Sequence, residues 1–366
     1  MINLIKKKIK FENCFCVLFC ILGIIFSINL FKNQNVYGIR IFHSSTHAII
    51  LLILFAVLFL SEIILLIIKK YFKIKRLIYL ITIILFTLII IDKVILGIIR
   101  CFMIAASLQQ RPTSLDPIGI RITYIILKNY KSILLGIWTT VWLSLSGTIV
   151  GLLIALVFIN LKKLEPNSKD SEFIVFIKRV AQCYVDTYVT IFRGTPMMVQ
   201  AIIIYYFLPG VLSGIFNIDQ QVLNNILSVS ISGFITVTLN TTAYLTEVLR
   251  GGIDSIDKGQ MEAARSLGMS KTKAMIFVIM PQGIKNALPA ICNEFIINIK
   301  DTSVLSVISV MDLFFIIDSI NKKNASQDGI FIAAIIYLTL TFGISKILNI
   351  IEKKMNIVTK PLPSCN

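Results

Sequence analysis

Long apolar runs, each about as long as a membrane-spanning helix, constrain this chain more than any other feature. A transmembrane helix needs roughly 20 apolar residues, and runs of that length recur along the whole sequence. Hydrophobic residues make up 56% of the chain and charged residues only 15%, whereas soluble proteins average about 25% charged residues. The sequence therefore predicts an all-α polytopic membrane protein with about eight transmembrane helices, at 13–31, 47–68, 77–99, 132–160, 184–208, 222–249, 272–299 and 329–351.

The placement of Lys and Arg predicts how these helices cross the membrane. The formal net charge is +17, and most basic residues fall in alternate loops, which is typical of cytoplasmic loops facing anionic lipid headgroups. The loop at 209–221 has no Lys or Arg, as expected outside the cell, although Arg111, Arg121, Lys128 and Lys131 do not follow the pattern. This distribution predicts that both termini are cytoplasmic. No basic, aromatic-interleaved domain is present, so we expect no nucleic-acid partner.

The segment from Gln109 to Gly119 contains two Pro and a Gly and interrupts the helical pattern. It predicts the end of an N-terminal membrane extension, residues 1–120, of about three helices. The lysine-rich N-terminus precedes an apolar run without a cleavage site and indicates a retained signal-anchor span. Asp92 and Lys93 either lie inside the third span or mark its outer end, with 94–108 along the interface.

A polar island lies between the sixth and seventh predicted spans. Asp257 is placed to cap a helix start, with Gln260 three residues later to complete a capping box. Gly268 suits the left-handed position that ends such a helix, and Ser270 is placed to cap the next one. The pattern predicts a short helix between two spans.

The side chains on one face of this short helix are expected to be small. Ala263 and Ala264 favour helix and leave room for another protein to approach, and Glu262 is spaced to pair with Arg265 on the outer face. These features alone fit an ordinary interfacial helix equally well.

Two further segments have turn or pairing signals. Arg193 to Pro196 predicts a turn in which Thr195 caps a helix and Pro196 takes its first position. Glu247 and Arg250 are spaced three apart and are expected to form an ion pair at a span end. Gly251 and Gly252, which follow, are expected to break the sixth helix before the island.

Polar and charged residues near the end of the seventh span predict a water-lined path, because such groups are costly in lipid unless they face protein or water. Glu294 is about two turns deeper than Lys300 and Asp301, so it fits a snorkelling end-of-span cluster less well than they do. Thr302 and Ser303 follow. This segment supplies both signs of charge.

Three motifs together resemble a known family. Arg193-Gly194-Thr195-Pro196, Glu262-Ala263-Ala264 with Gly268, and Lys300-Asp301-Thr302-Ser303 look like the permease subunits of bacterial ABC importers for polar amino acids, of the histidine, glutamine, arginine and cystine type. Met280 stands where the family usually has Leu, and Val278 replaces a commoner Ile. Both changes keep hydrophobic volume.

The resemblance implies a five-helix type I permease domain over 130–352 in the bacterial cell membrane, followed by a cytoplasmic tail over 353–366. It implies an ATPase-coupling loop over 257–270, in which Met261 and Leu267 bury against the partner. The coupling residues are Gly259, Gln260, Glu262, Ala263, Ala264 and Gly268. The implied gate and pathway residues are Arg193, Gly194, Thr195, Pro196, Glu247, Arg250, Glu294, Lys300, Asp301, Thr302 and Ser303.

The resemblance also implies partners: an ATP-binding ABC subunit, an extracellular solute-binding protein, a second permease copy in a homo- or heterodimer, and membrane lipid. The chain has no P-loop, so we expect it not to be an enzyme and to need no cofactor. His43 and His47, without carboxylates or cysteines nearby, are weak evidence for metal, and we expect none. A secondary amino-acid transporter and a non-transporting membrane scaffold remain the alternatives.

Overall fold

The structure, a computed structural model, describes residues 95–164 and 170–354 continuously, together with residues 21, 22, 24, 50, 53–60, 80–85, 87, 88 and 91. Most of the first two predicted spans and part of the third fall outside these residues. So do Asp92, Lys93, both histidines, the lysine-rich N-terminus and most of the predicted C-terminal tail.

The described chain is helical, and no strand occurs in it. Contacts divide the chain into two compact units, Met1–Leu127 and Lys128–Asn366. The helices discussed below are α1 (Leu96–Ser107), α2 (Ile118–Lys162), α3 (Glu172–Gly194), α4 (Met197–Phe216), α5 (Gln220–Ile226), α6 (Val229–Asp254), α7 (Lys258–Ser266), α8 (Lys271–Ile308), α9 (Leu313–Asn324) and α10 (Gly329–Lys354).

Four of the last five predicted spans are present as apolar helices, whereas the predicted span at 184–208 is divided at Thr195 and Pro196, between α3 and the apolar helix α4. The helices α2, α4, α8 and α10 are each long and apolar enough to cross a membrane, and α5 with α6 forms a fifth candidate bent by 67°. The chain is therefore a multi-pass membrane protein. The 45 residues of α2 extend about 67 Å at 1.5 Å per residue, which exceeds the roughly 30 Å of the hydrocarbon core. Its ends must lie beyond the apolar layer.

The predicted interruption at 109–119 is confirmed. Helix α1 ends at Ser107, and α2 begins at Ile118, after a turn in which Asp116 accepts hydrogen bonds from the backbone and hydroxyl of Thr113. The described part of α1 has 12 residues and is about 18 Å long.

Helix α6 lies at the centre of the second unit. Its end near α7 packs Leu245, Leu249 and Ile253 into one apolar core with residues of α2 and α8. Its other end joins a second core through Val237, with Leu305 from the last turns of α8. Helix α6 therefore packs against α2 and α8 in both apolar cores.

Gly251 and Gly252 do not break α6 as expected. The helix continues through both and ends at Asp254. Gly252 instead permits a close crossing: a Cβ atom there would lie 2.5 Å from the carbonyl oxygen of Gly283 and 2.8 Å from the Cβ of Ala287. The glycine is needed for helix packing, and the break falls at 255–257.

Candidate functional site

Helix α7 is a short, capped helix, as the sequence predicts. The Asp257 side chain accepts a hydrogen bond from the backbone N–H of Gly259 at 2.6 Å, and Ser270 caps the start of α8 through the N–H of Lys273. Gly268 has a φ of +85°, the left-handed conformation that ends the helix. Glycine adopts this conformation without steric cost.

Two details of α7 differ from expectation. Gln260 does not complete a capping box; its side-chain oxygen accepts instead from the Gln282 amide at 3.5 Å. In the described chain Glu262 and Arg265 form no ion pair, and both are exposed. At an exposed site such a pair contributes little, because water and salt screen it.

The hydrophobic side chains of the α7 segment point to opposite sides. Ala264 is buried, and Met261 packs against the core formed by α6 and α8. Met261 is half-buried, so the core covers part of the surface that was expected to face a partner, and its contact with a partner stays a prediction. Leu267 is 85% exposed and is a large apolar side chain that this segment presents outward. Ala263 is also exposed, and its side chain is small, so the surface next to Leu267 does not project far.

The break between α3 and α4 is held from inside by Gln200. Its amide nitrogen donates to the carbonyl oxygens of Phe192 (2.9 Å) and Thr195 (3.0 Å) and to the Thr195 hydroxyl, while its oxygen accepts from Asn240 of α6. Thr195 and Pro196 each lie one position outside a helix, so Pro196 is not the first residue of α4 as expected. Boundary shifts of one residue are usual.

Charged side chains join α2, α3 and α6 at the end of the bundle that carries α7, here called the α7 end. Glu247 pairs with Arg250 at 2.9 Å, as predicted, and also with Lys162 at 2.9 Å. Lys162 also contacts Asp186 at 2.8 Å. We call this set the ionic cluster; its members are Lys162, Lys163, Asp186, Arg193, Glu247, Arg250 and Asp254.

Arg193 is the most loosely held member of the ionic cluster. Its nearest guanidinium nitrogen lies 3.9 Å from Glu247, and its side chain is 45% exposed. The guanidinium also lies 5.4 Å from the centre of the Tyr244 ring, within the range of a cation–π interaction.

A polar seam crosses the bundle between α2, α6 and α8. Asn298 is 2% exposed, and its amide donates to the hydroxyls of Thr148 and Thr241, each at 2.9 Å. One turn away on the same helix, Glu294 is 7% exposed and forms no hydrogen bond or ion pair within the described chain.

The four residues after the polar seam are divided between surface and interior. Lys300 and Asp301 are exposed at the end of the regular part of α8. Thr302 is buried, where α8 tightens into a 3₁₀ turn, and Ser303 donates to the Lys300 carbonyl. No group of three or more His, Cys, Asp or Glu that could hold a metal ion occurs in the part of the chain described.

Comparison with known proteins agrees with this architecture. A family model described as "Binding-protein-dependent transport system inner membrane component" matches residues 173–357, half of the chain. The match spans α3 to α10 and includes α7, the ionic cluster's α3 and α6 members, and the polar seam's α6 and α8 members. The chain belongs to this family.

Relatives of this inner membrane component are permease proteins. The putative glutamine transport system permease protein GlnP of Rickettsia felis is 35% identical over 210 residues, covering 57% of this chain and 84% of the relative. The L-cystine transport system permease protein TcyB of Bacillus subtilis is 32% identical, covering 60% of the chain and 85% of the relative. The arginine permease protein ArtQ of the same organism is 33% identical, covering 61% of the chain and 92% of the relative.

A solved structure supports the same assignment for this inner membrane component. The crystal structure of an amino acid ABC transporter with histidines is 30% identical, has a TM-score of 0.54, and covers 66% of this chain and 100% of that chain. Families of this kind act with an ATPase and a substrate-binding partner, and they are transport components rather than enzymes.

Several site residues of this inner membrane component were missed by sequence reasoning. Lys162 and Asp186 carry the ionic cluster, yet Lys162 reads as one of many loop charges. Its partner Glu247 is 85 residues away in the chain, so no local spacing indicates the pair. Gln200 and Asn240 likewise meet across 40 residues, and only the folded bundle brings them together.

Proposed function

We propose that this chain is the permease subunit that carries polar amino acids across the bacterial cell membrane in an ATP-driven importer. The observation that carries the proposal is α7: a short, rigidly capped helix between two membrane spans, with one large apolar side chain directed away from the bundle. Relatives named as glutamine, cystine and arginine permeases support the amino-acid substrate. Family membership favours this function over a secondary transporter or a scaffold.

The geometry of α7 suits force transmission. Its inner side is packed through Met261 and Ala264 against the core of α6 and α8, and both caps are made by side chains. A push on Leu267 therefore moves α6 and α8 together rather than bending a loose loop. The proposed coupling residues are those expected from sequence: Gly259, Gln260, Glu262, Ala263, Ala264 and Gly268.

The proposed pathway follows the polar seam. A nearly buried carboxylate that lacks a hydrogen-bond partner is costly, because the charged form loses its hydration. Glu294 therefore suits a site that a passing ammonium or cationic group fills. Arg193, Lys300 and Asp301 supply the remaining charges, and Arg193 also belongs to the ionic cluster at the α7 end. Gly194, Thr195, Pro196, Glu247, Arg250, Thr302 and Ser303 complete the proposed gate and pathway.

The remaining proposals concern the assembly. We place α7 and both termini in the cytoplasm, because the loops at that end carry most of the lysines and arginines. Residues 1–120 form the membrane extension, 130–352 the permease domain and 353–366 the tail. Two copies, or one copy with a related chain, enclose the path within lipid, receive the solute from an extracellular binding protein and bind an ATPase at α7.

Substitution at Gly268 tests this function. The φ of +85° is unfavourable for most side chains, but Asn and Asp adopt positive φ more readily than β-branched or bulky residues do. The two variants below therefore differ mainly in charge. We expect Gly268→Asp, in permease reconstituted with its ATPase and binding protein, to lower uptake of labelled glutamine, arginine or cystine at least about tenfold, equivalent to about 1.4 kcal/mol. The neutral, equally large Gly268→Asn should retain more uptake.

Membrane insertion and co-purification of the ATPase are measured in the same samples. The proposal predicts normal insertion with loss of the bound ATPase in Gly268→Asp. Normal uptake with the ATPase retained would reject the coupling role. Absence of uptake of every tested amino acid by the wild-type assembly would reject the amino-acid substrate.

A further inference from the structure

Helix α8 is irregular where it follows α7. Its residues Met275–Ile279 form a π-helical turn, and Pro281 comes two positions later. Proline has no backbone N–H to donate to the preceding turn, and single π-helical turns are frequent at functional sites. Helix α4 has the same arrangement, with π-helical Ile203–Phe207 followed two positions later by Pro209. Since the local pattern is the same in both helices, a functional difference between the two segments must come from what each one contacts.

Two amide side chains of α8 hold the start of α7. Asn286 donates to the Ser255 hydroxyl at 3.0 Å, in the break between α6 and α7. One turn earlier, Gln282 donates to the Val278 carbonyl inside the π-helical turn at 2.9 Å, and its amide lies 3.5 Å from the side-chain oxygen of Gln260 in the first turn of α7. These contacts attach the start of α7 to the part of α8 that follows the π-helical turn.

The end of α7 is attached to α8 on the other side of the π-helical turn. Residues 267–270 are all that separates α7 from Lys271, the first residue of α8. The π-helical turn therefore lies between two attachments of the same short helix. Two of its side chains, Ile276 and Phe277, are 44% and 69% exposed, so the described chain does not enclose the turn on that side.

A force on α7 has two routes into α8. One route follows the chain through 267–270 and the π-helical turn, where Pro281 interrupts the helical hydrogen bonds and where helices tend to kink. The other passes through Asn286 and Gln282 directly to the α-helical part that leads to the polar seam. Pro289, further along, is common to both routes. The route through the two amides is therefore the stiffer one.

We propose that Asn286 and Gln282 are positioning residues that pass the movement of α7 to the pathway-bearing part of α8, past the flexible π-helical turn. This role rests on the proposed function, and it belongs to contacts inside the permease rather than to the face of α7 that meets the ATPase. Without the two amides, α7 and the first turn of α8 move together about the π-helical turn. ATP hydrolysis then continues, but less of it drives transport.

The test compares uptake with ATP hydrolysis in proteoliposomes that contain the permease, its ATPase and the binding protein. The number of labelled glutamine, arginine or cystine molecules imported per ATP hydrolysed is measured, together with the amount of ATPase bound. We expect Gln282→Leu combined with Asn286→Leu to lower this ratio about fivefold, the lower end of usual coupling magnitudes, with the ATPase still bound. Asn286→Asp, whose carboxylate can accept a hydrogen bond from the Ser255 hydroxyl, should keep a higher ratio than Asn286→Leu.

A continuous helix should rescue the double variant. Pro281→Ala supplies the missing N–H donor, so movement can pass along the chain itself, and we expect it to recover part of the lost ratio. Pro209→Ala, at the equivalent position of α4, is the matched control and should recover none of it. Asn160→Leu makes the same amide-to-leucine change at an exposed residue of α2, whose amide donates to a carbonyl of its own helix, and should behave as wild type.

The possible results separate this role from the proposed function. A wild-type ratio in the double variant, or equal recovery with Pro281→Ala and Pro209→Ala, would overturn the role of the two amides. Loss of the bound ATPase would also overturn it, because the residues would then act in docking. If the double variant does not assemble, equal ratios in Asn286→Leu and Asn286→Asp would reject the role. A wild-type assembly in which hydrolysis drives no amino-acid uptake would instead contradict the proposed function.

Discussion

The side chains of the α7 segment face in two directions, some toward the bundle and one away from it. Ala264 and Met261 face the bundle, while Leu267 faces away and is 85% exposed. An exposed leucine is common on protein surfaces, but this one lies at the end of a short, polar, capped helix between membrane spans. Burying a leucine side chain contributes about 1.5–3 kcal/mol, so Leu267 is well suited to anchor a partner.

Replacing Leu267 by Gln tests this contribution. We expect Leu267→Gln to weaken ATPase binding by about 10-fold or more, because roughly 1.4 kcal/mol corresponds to a factor of ten. The measurement is the dissociation constant of the purified ATPase for permease in nanodiscs. Leu115→Gln, the same change at a leucine that is 95% exposed between α1 and α2, is the control and should bind normally. Equal affinity of both variants would show that Leu267 does not contact the ATPase.

At the scale of helices, the crossing of α6 and α8 transmits movement from α7. Gly252 lies against the Gly283 carbonyl and Ala287 of α8, while its neighbour Gly251 has nothing within 4 Å of the position of a Cβ. Small residues let membrane helices approach closely, and their contact is dominated by packing. Two adjacent glycines of the same helix thus have opposite packing requirements.

Alanine at each glycine separates the two cases. Gly252→Ala should destabilise the protein by about 1–3 kcal/mol, the usual cost of overpacking. Gly251→Ala should be neutral or stabilising by up to about 1 kcal/mol, because alanine is the better helix former. Thermal unfolding of the two variants in the same detergent measures the difference. Similar midpoints for both would mean that the α6–α8 contact adjusts without cost.

Helices and their ends were predictable from sequence to different degrees. Local patterns predict the apolar runs of the last five spans, the cap at Asp257 and the left-handed Gly268, because apolar runs and capping residues act within a few positions. The 67° bend between α5 and α6 and the continuation of α6 through Gly252 depend on packing against other helices. No nearby residue type specifies them.

In the bundle as a whole, too, local sequence patterns were predictable, whereas contacts between distant residues were not. The pairings that close its α7 end, Lys162 with Glu247 and Lys163 with Asp254, join residues 85 and 91 positions apart. Sequence reasoning placed Glu247 and Arg250 correctly as a pair but left Lys162 in a loop. Charges brought together from three helices can be recognised as a site only after the fold is known.

The orientation of the bundle in the membrane is the final prediction. Helix α8 crosses once between α7 and the turn that joins α9 to α10, so the two segments should lie on opposite sides of the membrane. In a variant with all seven cysteines replaced by serine, we introduce Ser266→Cys or Gln327→Cys, both at exposed positions. An impermeant maleimide should label Gln327→Cys in intact cells and Ser266→Cys in inverted vesicles. Labelling of Ser266→Cys from outside intact cells would place α7 where no ATP-driven partner can reach it, and the coupling role would have to be abandoned.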